Sequence, residues 1–316
     1  MSEPRYFPWI HRLAWASLVV SVLLTIGLGG AVTSAEVGMA YPTWPDMNGA
    51  SLFNFFYGEL AGEHGAGANL EHTHRQAGTL IGLMSIGLVL ATLLVKGVPA
   101  AWKRLSTLIL LLVIAQGLLG AFRVTENAQA TGVIHAVGAQ LVVVAIVAMI
   151  VRSSRRWTLD RAVRRSAEAG KLRLWSLVAI VVLFLNLVAA ASLRHKEAAF
   201  GGHFVLALTA SAVLLGVVWL VARHFSDHGP LWRQARRLAN LLGAQLGLGL
   251  GTWAFIWGPM AGRLESEKAR FLAQAGFATA HLLVGVCVLA VVTAIYLEAK
   301  HRLLPAKSGA GGDEAA

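Results

Sequence analysis

Residues 74–95 read HRQAGTLIGLMSIGLVLATLLV, and this stretch decides the fold. Past Arg75 it carries no charge over a length that, at ~1.5 Å per helical residue, crosses the ~30 Å hydrocarbon layer of a bilayer. It does not alternate like a barrel strand, so its backbone must be satisfied within a helix. Seven further stretches of this kind fall at 11–30, 105–122, 132–151, 174–193, 201–222, 238–257 and 275–297. The 316-residue chain is 56% hydrophobic and 14% charged, whereas a soluble domain carries about a quarter charged residues. The expected fold class is all-α: a polytopic membrane protein with eight transmembrane helices.

The formal charge of +11 could suit nucleic acid, but its placement does not call for it. With the N-terminus inside, 20 of the 27 Lys and Arg residues fall on one side of the membrane. The segment 152–173 alone holds Arg152, Arg155, Arg156, Arg161, Arg164, Arg165, Lys171 and Arg173. This is the positive-inside asymmetry, and basic segments next to a membrane suit anionic lipid. The expectation is an inner-membrane, multi-pass chain with both termini cytoplasmic and no nucleic-acid partner. The single cysteine, Cys287, lies within the last span, so neither a disulfide framework nor a thiolate metal site is expected.

The halves share an order of small motifs. Ser17-Leu18-Val19-Val20 resembles Ser176-Leu177-Val178-Ala179, and Gln116-Gly117-Leu118-Leu119-Gly120 resembles Gln245-Leu246-Gly247-Leu248-Gly249. The reading is a duplicated four-helix unit, which needs the first helix to be retained and not cleaved as a signal. The domains expected are 1–151, with an outer lid loop at 31–70; a basic cytoplasmic linker at 152–173; 174–300; and a disordered tail at 301–316.

Each even-numbered helix carries one histidine in its first two turns: His74, His135, His203 and His281. Single polar residues in membrane bundles often only join helices by hydrogen bonds, but four at equivalent positions point to a shared chemistry. Neutral imidazoles are axial ligands of heme iron, and two hemes, one per half, is the simplest arrangement. A four-histidine zinc site fits less well, because it would draw on both halves and leave the neighbouring glycines unexplained. Gly117, Gly120, Gly247 and Gly249 precede ligand helices, where a missing side chain admits a flat macrocycle or a close helix.

The first half alone has a long loop, with Tyr41-Pro42-Thr43-Trp44-Pro45-Asp46-Met47-Asn48-Gly49 and the aromatics Phe53, Phe55, Phe56 and Tyr57. Long loops of this kind often act as lids. The first half also has Glu71-His72-Thr73-His74-Arg75. Glu71 lies three residues before His74 and on the same helix face. A carboxylate there could move protons, or simply favour the helix start. Arg75 could pair with a heme propionate or anchor the helix at the headgroups.

These residues resemble the heme A synthase family, from Gly29-Gly30-Ala31-Val32-Thr33 through Trp44-Pro45 and Glu71-x-x-His74-Arg75 to the His281 helix. The resemblance implies oxidation of the C8 methyl group of heme O to a formyl group, giving heme A for cytochrome oxidase. It implies His74 and His135 as substrate-heme ligands, Glu71 and Arg75 as catalytic residues, and His203 and His281 as ligands of a resident heme b. It further implies heme O and heme A, membrane lipid, a heme O synthase and an electron donor as partners, and leaves a homo-oligomer open. Many members carry an outer-loop cysteine pair, which this chain lacks. The rival readings are a di-heme b-type electron-transfer cytochrome and a non-catalytic heme-binding assembly or transport protein.

Overall fold

The computed structural model describes residues 5–35, 37–47, 49, 51–53, 66–126, 129–160, 163–195, 199–264 and 266–306. Among these the chain is all-α apart from one short strand pair. The long helices are α1 (Pro8–Ser34), α2 (Ala66–Leu94), α3 (Ala100–Thr125), α4 (Gln129–Ser153), α5 (Ala169–Arg194), α6 (Phe200–His224), α7 (Gly229–Ile256) and α8 (Glu267–Arg302). Seven of them are long and apolar enough to cross a membrane, which gives the chain its membrane character. The helix left out is α7. Arg233, Arg236 and Arg237 lie in its first turns, and Asn240, Gln245 and four glycines dilute its apolar part.

Local signals set the ends. Pro8 and Pro230 stand in the first turns of α1 and α7, where the missing N–H costs nothing. Ser266 caps α8 by accepting from the Ala269 N–H, and Gly97, at φ +85°, turns the chain between α2 and α3. Three helices begin eight or nine residues earlier than the hydropathy suggests: α2 at Ala66 instead of 74, α7 at Gly229 instead of 238, and α8 at Glu267 instead of 275. As a result His281 lies about four turns into α8, and His74 falls in the third turn of α2. The expectation of a histidine in the first two turns fails for these two, because polar, capped turns precede the apolar run.

Packing follows small neighbourhoods. Helices α1–α4 contact one another in a ring, and so do α5–α8. One core runs through Ile10, Leu88, Ile109 and Ile146, and another through Leu172, Leu214, Leu238 and Val292. A third cluster, Val22, Ile26, Val143, Val147 and Val286, joins α1, α4 and α8 and so links the two rings. Large apolar side chains such as Leu83, Leu111, Trp219 and Leu250 remain exposed, as a lipid-facing surface requires.

The basic segment after α4 is folded against the end of α8. A one-turn helix (Arg155–Leu159) leads to β1 (Arg164–Arg165), which pairs in parallel with β2 (Leu303–Leu304). Arg156 meets Glu298 at 2.7 Å, and Arg302 donates to the Arg156 and Trp157 carbonyls. The tail expected to be disordered from residue 301 is thus held by helix, strand and ion pair as far as 304. Residues 307–316 lie outside the described residues, as do Asn48, Phe55, Phe56 and Tyr57 of the α1–α2 loop.

Candidate heme-ligand site

Each of the four histidine rings leans on the helix that precedes its own. The His74 ring lies against Gly29 of α1, where a Cβ would stand 2.7 Å from Cε1. The His281 ring lies against Gly249 of α7, with the same atoms 2.9 Å apart, and His135 lies against Gly120 of α3 at 3.5 Å. Backbone groups four residues earlier face the same rings: Thr25 for His74, Gln116 for His135 and Gln245 for His281. His203 faces the backbone of Asn186 on α5. For His281 this closes to a bond, with Nδ1–H donating to the Gln245 carbonyl at 3.1 Å. Nδ1 of His74, His135 and His203 is buried with no hydrogen-bond partner.

One pair of rings meets directly: His203 and His281 stand 6.3 Å apart between ring centroids and nearly perpendicular, at 85°. His135 is near enough for its charge to act on His74. Among the described residues, no group of three or more His, Cys, Asp or Glu side chains is placed to hold a metal ion.

These observations fit a bis-imidazole group. Two metal–imidazole bonds of about 2 Å each, plus the ring radii, separate the centroids by roughly 6 Å. A ligating histidine commonly donates its second ring N–H to a backbone carbonyl, which is the side on which Thr25, Gln116, Asn186 and Gln245 stand. Nε2 of His281 faces the flexible Gln245 amide at 3.4 Å, a side chain that a bound group could displace. Gly117 and Gly247 meet nothing within 4 Å on their open side. Of the four glycines singled out in the sequence, Gly120 and Gly249 thus seat histidine rings, while Gly117 and Gly247 border free space.

Glu71 and Arg75 occupy a different environment from the one their spacing suggests. Glu71 is buried and pairs with Arg75, Oε1 to Nη2 at 2.6 Å, while Oε2 accepts from the Ala40 N–H at 2.8 Å. Arg75 also donates to the carbonyls of Tyr41 (2.6 Å), Thr43 (2.8 Å) and Asp46 (3.1 Å). Among the described residues, Glu71 and Arg75 direct their hydrogen bonds to each other and to the α1–α2 loop and not to His74. His72, read as a helix-end residue, is fully buried in α2 beside Gln76 (2.9 Å), and Gln76 in turn donates to the Leu52 carbonyl. One helix face, from Glu71 to Gln76, thereby fastens the loop.

Further cations gather at the same end. Arg194 closes α5 onto α1 by donating to the Gly30 carbonyl (2.7 Å) and Ser34 Oγ (2.6 Å). The His195 ring and Arg123 both lie against Gly132, one turn before His135. Sequence reading overlooked Gly29, Thr25, Asn186 and His195 as parts of the site. The available signal was the four-residue spacing of a polar residue and a glycine, Thr25/Gly29, Gln116/Gly120 and Gln245/Gly249, on the helix before each of three histidines.

Residues 60–202 match the model of the COX15-CtaA family, described as cytochrome oxidase assembly protein. This segment is similar to the COX15-CtaA family. The match takes in α2 to α5 and the start of α6, with His74, His135, Glu71 and Arg75. His203 and His281 lie beyond it, so the second pair is assigned to the site by its own geometry. No curated protein sequence matches the chain. The likeness relates this segment to proteins of cytochrome oxidase assembly.

Proposed function

We propose that the chain is a heme A synthase: a membrane oxidoreductase that converts the C8 methyl group of heme O to a formyl group. The observation that carries this reading is the facing pair His203 and His281, 6.3 Å apart, together with a second pair inside the family-matched segment. His74 and His135 would hold heme O as substrate, and His203 and His281 a resident heme b. When bound, the resident heme supplies a one-electron relay. The conversion is a four-electron oxidation. Two successive hydroxylations, each taking one O2, two electrons from the donor and two protons and releasing one water, give a geminal diol that loses water to the formyl group. The chain's own residues would bind the substrate by its iron, fix the ring tautomers through backbone carbonyls, and hold the α1–α2 loop on the helix of the first ligand.

Seven apolar helices and the eighth, α7, together make eight spans in this reading. The basic end would be cytoplasmic in an inner membrane, and the histidine end outside. The matched positions of Gln116 and Gln245 toward His135 and His281 support two copies of one four-helix unit. A heme O synthase and an electron donor would be the partners.

One observation favours a second reading, a heme-binding assembly protein without catalysis. Both oxygens of Glu71 are engaged by Arg75 and Ala40, as a purely structural carboxylate would be. Co-expression with a heme O synthase, followed by mass analysis of extracted hemes, separates the two. Heme A should appear only when this chain is present; heme O alone would sink the synthase reading.

A further inference from the structure

Resting on the heme-ligand reading, we propose that Gly29 and Gly249 are positioning residues that lock one axial histidine in each half, His74 and His281. His135 and His203 are then the adjustable ligands. A Cβ on Gly29 would come within 2.7 Å of the His74 ring, and on Gly249 within 2.9 Å of the His281 ring. Both distances are shorter than carbon atoms tolerate, so the helix backbone is in direct contact with the ring edge. His135 meets Gly120 only at 3.5 Å, an ordinary contact. The helix facing His203 offers Asn186, and the glycines beside that ring, Gly201 and Gly202, meet nothing within 4 Å.

Of the two locked residues, His281 is also oriented by a hydrogen bond. His281 makes a closed bond to the Gln245 carbonyl. Thr25, whose backbone faces His74, lies in the π-helical stretch Val20–Ile26 and donates to the Val20 carbonyl, with Ala77 of α2 at 3.5 Å. A single wide turn of this kind often marks a functional position in a helix. It sits where α1 meets the His74 helix.

An added methyl at either glycine would act only on the ligated state. With no iron bound, the imidazole is the free end of a side chain and can turn aside. Once the ring is bound to iron, the methyl must tilt it or weaken the bond. A pair with one fixed and one adjustable member also suits the two tasks differently. In the first half, the adjustable His135 lets a substrate heme enter and a product leave without disturbing His74. In the second half, the fixed His281 keeps a resident group in place.

The test uses the purified full chain with Gly29→Ala, Gly249→Ala and Gly120→Ala, and with Gly170→Ala, at the other end of α5 from Asn186 and in open space, as the control. The readouts are heme affinity, the low-spin electron paramagnetic resonance signature, and the melting temperature of heme-free protein. Gly249→Ala should weaken heme binding in the second half by on the order of 10-fold and shift its low-spin signature. Gly29→Ala should do the same in the first half. Heme-free melting should stay at the parent value, Gly120→Ala should shift the signature less than Gly29→Ala, and Gly170→Ala should match the parent throughout. His203→Ala should keep heme in a five-coordinate, high-spin form, whereas His281→Ala should lose it. Unshifted signatures in Gly29→Ala and Gly249→Ala, or equal shifts in Gly120→Ala, overturn the inference while leaving heme ligation standing. A parent chain that binds no heme overturns both.

Discussion

The two histidine pairs differ in what is fastened beside them. In the first half, Glu71, Arg75 and Gln76 of α2 hold the α1–α2 loop through contacts to Ala40, Tyr41, Thr43, Asp46 and Leu52. Tyr41 and Met47 of that loop are buried against Ala68 of α2. In the second half aromatic rings pack beside the pair, Phe200 on His203 and Trp257 on Phe200, and the two histidine rings face each other directly. Similar ligands in different settings suit different tasks: a loop held by buried polar contacts can exclude water from chemistry, and an aromatic seat needs only to keep its cofactor. In the proposed enzyme, conversion belongs to the first pair and electron storage to the second.

That contrast can be broken at Glu71. Glu71→Gln removes the charge from the first half while leaving all four histidines in place. Heme A formation should fall by on the order of 10²-fold, the scale for losing a positioned acid–base group, with heme content unchanged. Product analysis after co-expression reads this directly, and parental heme A yield would leave Glu71 only its loop contacts.

Arg75→Ala sharpens the same point with a smaller effect. It strands a buried carboxylate, at a cost of about 3 kcal/mol or more, and frees three loop carbonyls. The loop should become sensitive to limited proteolysis near residues 40–47, and heme A formation should fall less than in Glu71→Gln. Equal losses in the two variants would mean that loop attachment, not the carboxylate, is what the first half needs. Gln76→Ala is the mildest of the series. It removes neutral hydrogen bonds to Leu52 and His72, about 1 kcal/mol each, and should speed proteolysis of the loop slightly without changing the low-spin signal of the second half.

Much of this was legible before any coordinates. Long uncharged runs give long helices, since a buried backbone has no other way to satisfy itself. The four histidines stand out because polar residues are rare in such runs. The helix starts of α7 and α8 were less legible, because capping by His228 and Ser266 extends a helix through polar turns that hydropathy ignores. The loop-clasping role of Arg75 was not legible at all. Its partners are backbone carbonyls more than 28 residues away, and a carbonyl has no sequence signature. The ring seats at Gly29 and Gly249 fall between these cases: the spacing was present, but only the helix crossing shows which glycines touch a ring.

The claim that the halves divide the work is tested most directly by two double variants of the purified chain, co-expressed with a heme O synthase. His203→Ala/His281→Ala should lose the resident low-spin b-type signal but still retain heme O in the first half. His74→Ala/His135→Ala should keep that b-type signal and yield no heme A. Heme A at the parental level from His74→Ala/His135→Ala, or the same heme loss in both double variants, would contradict the division.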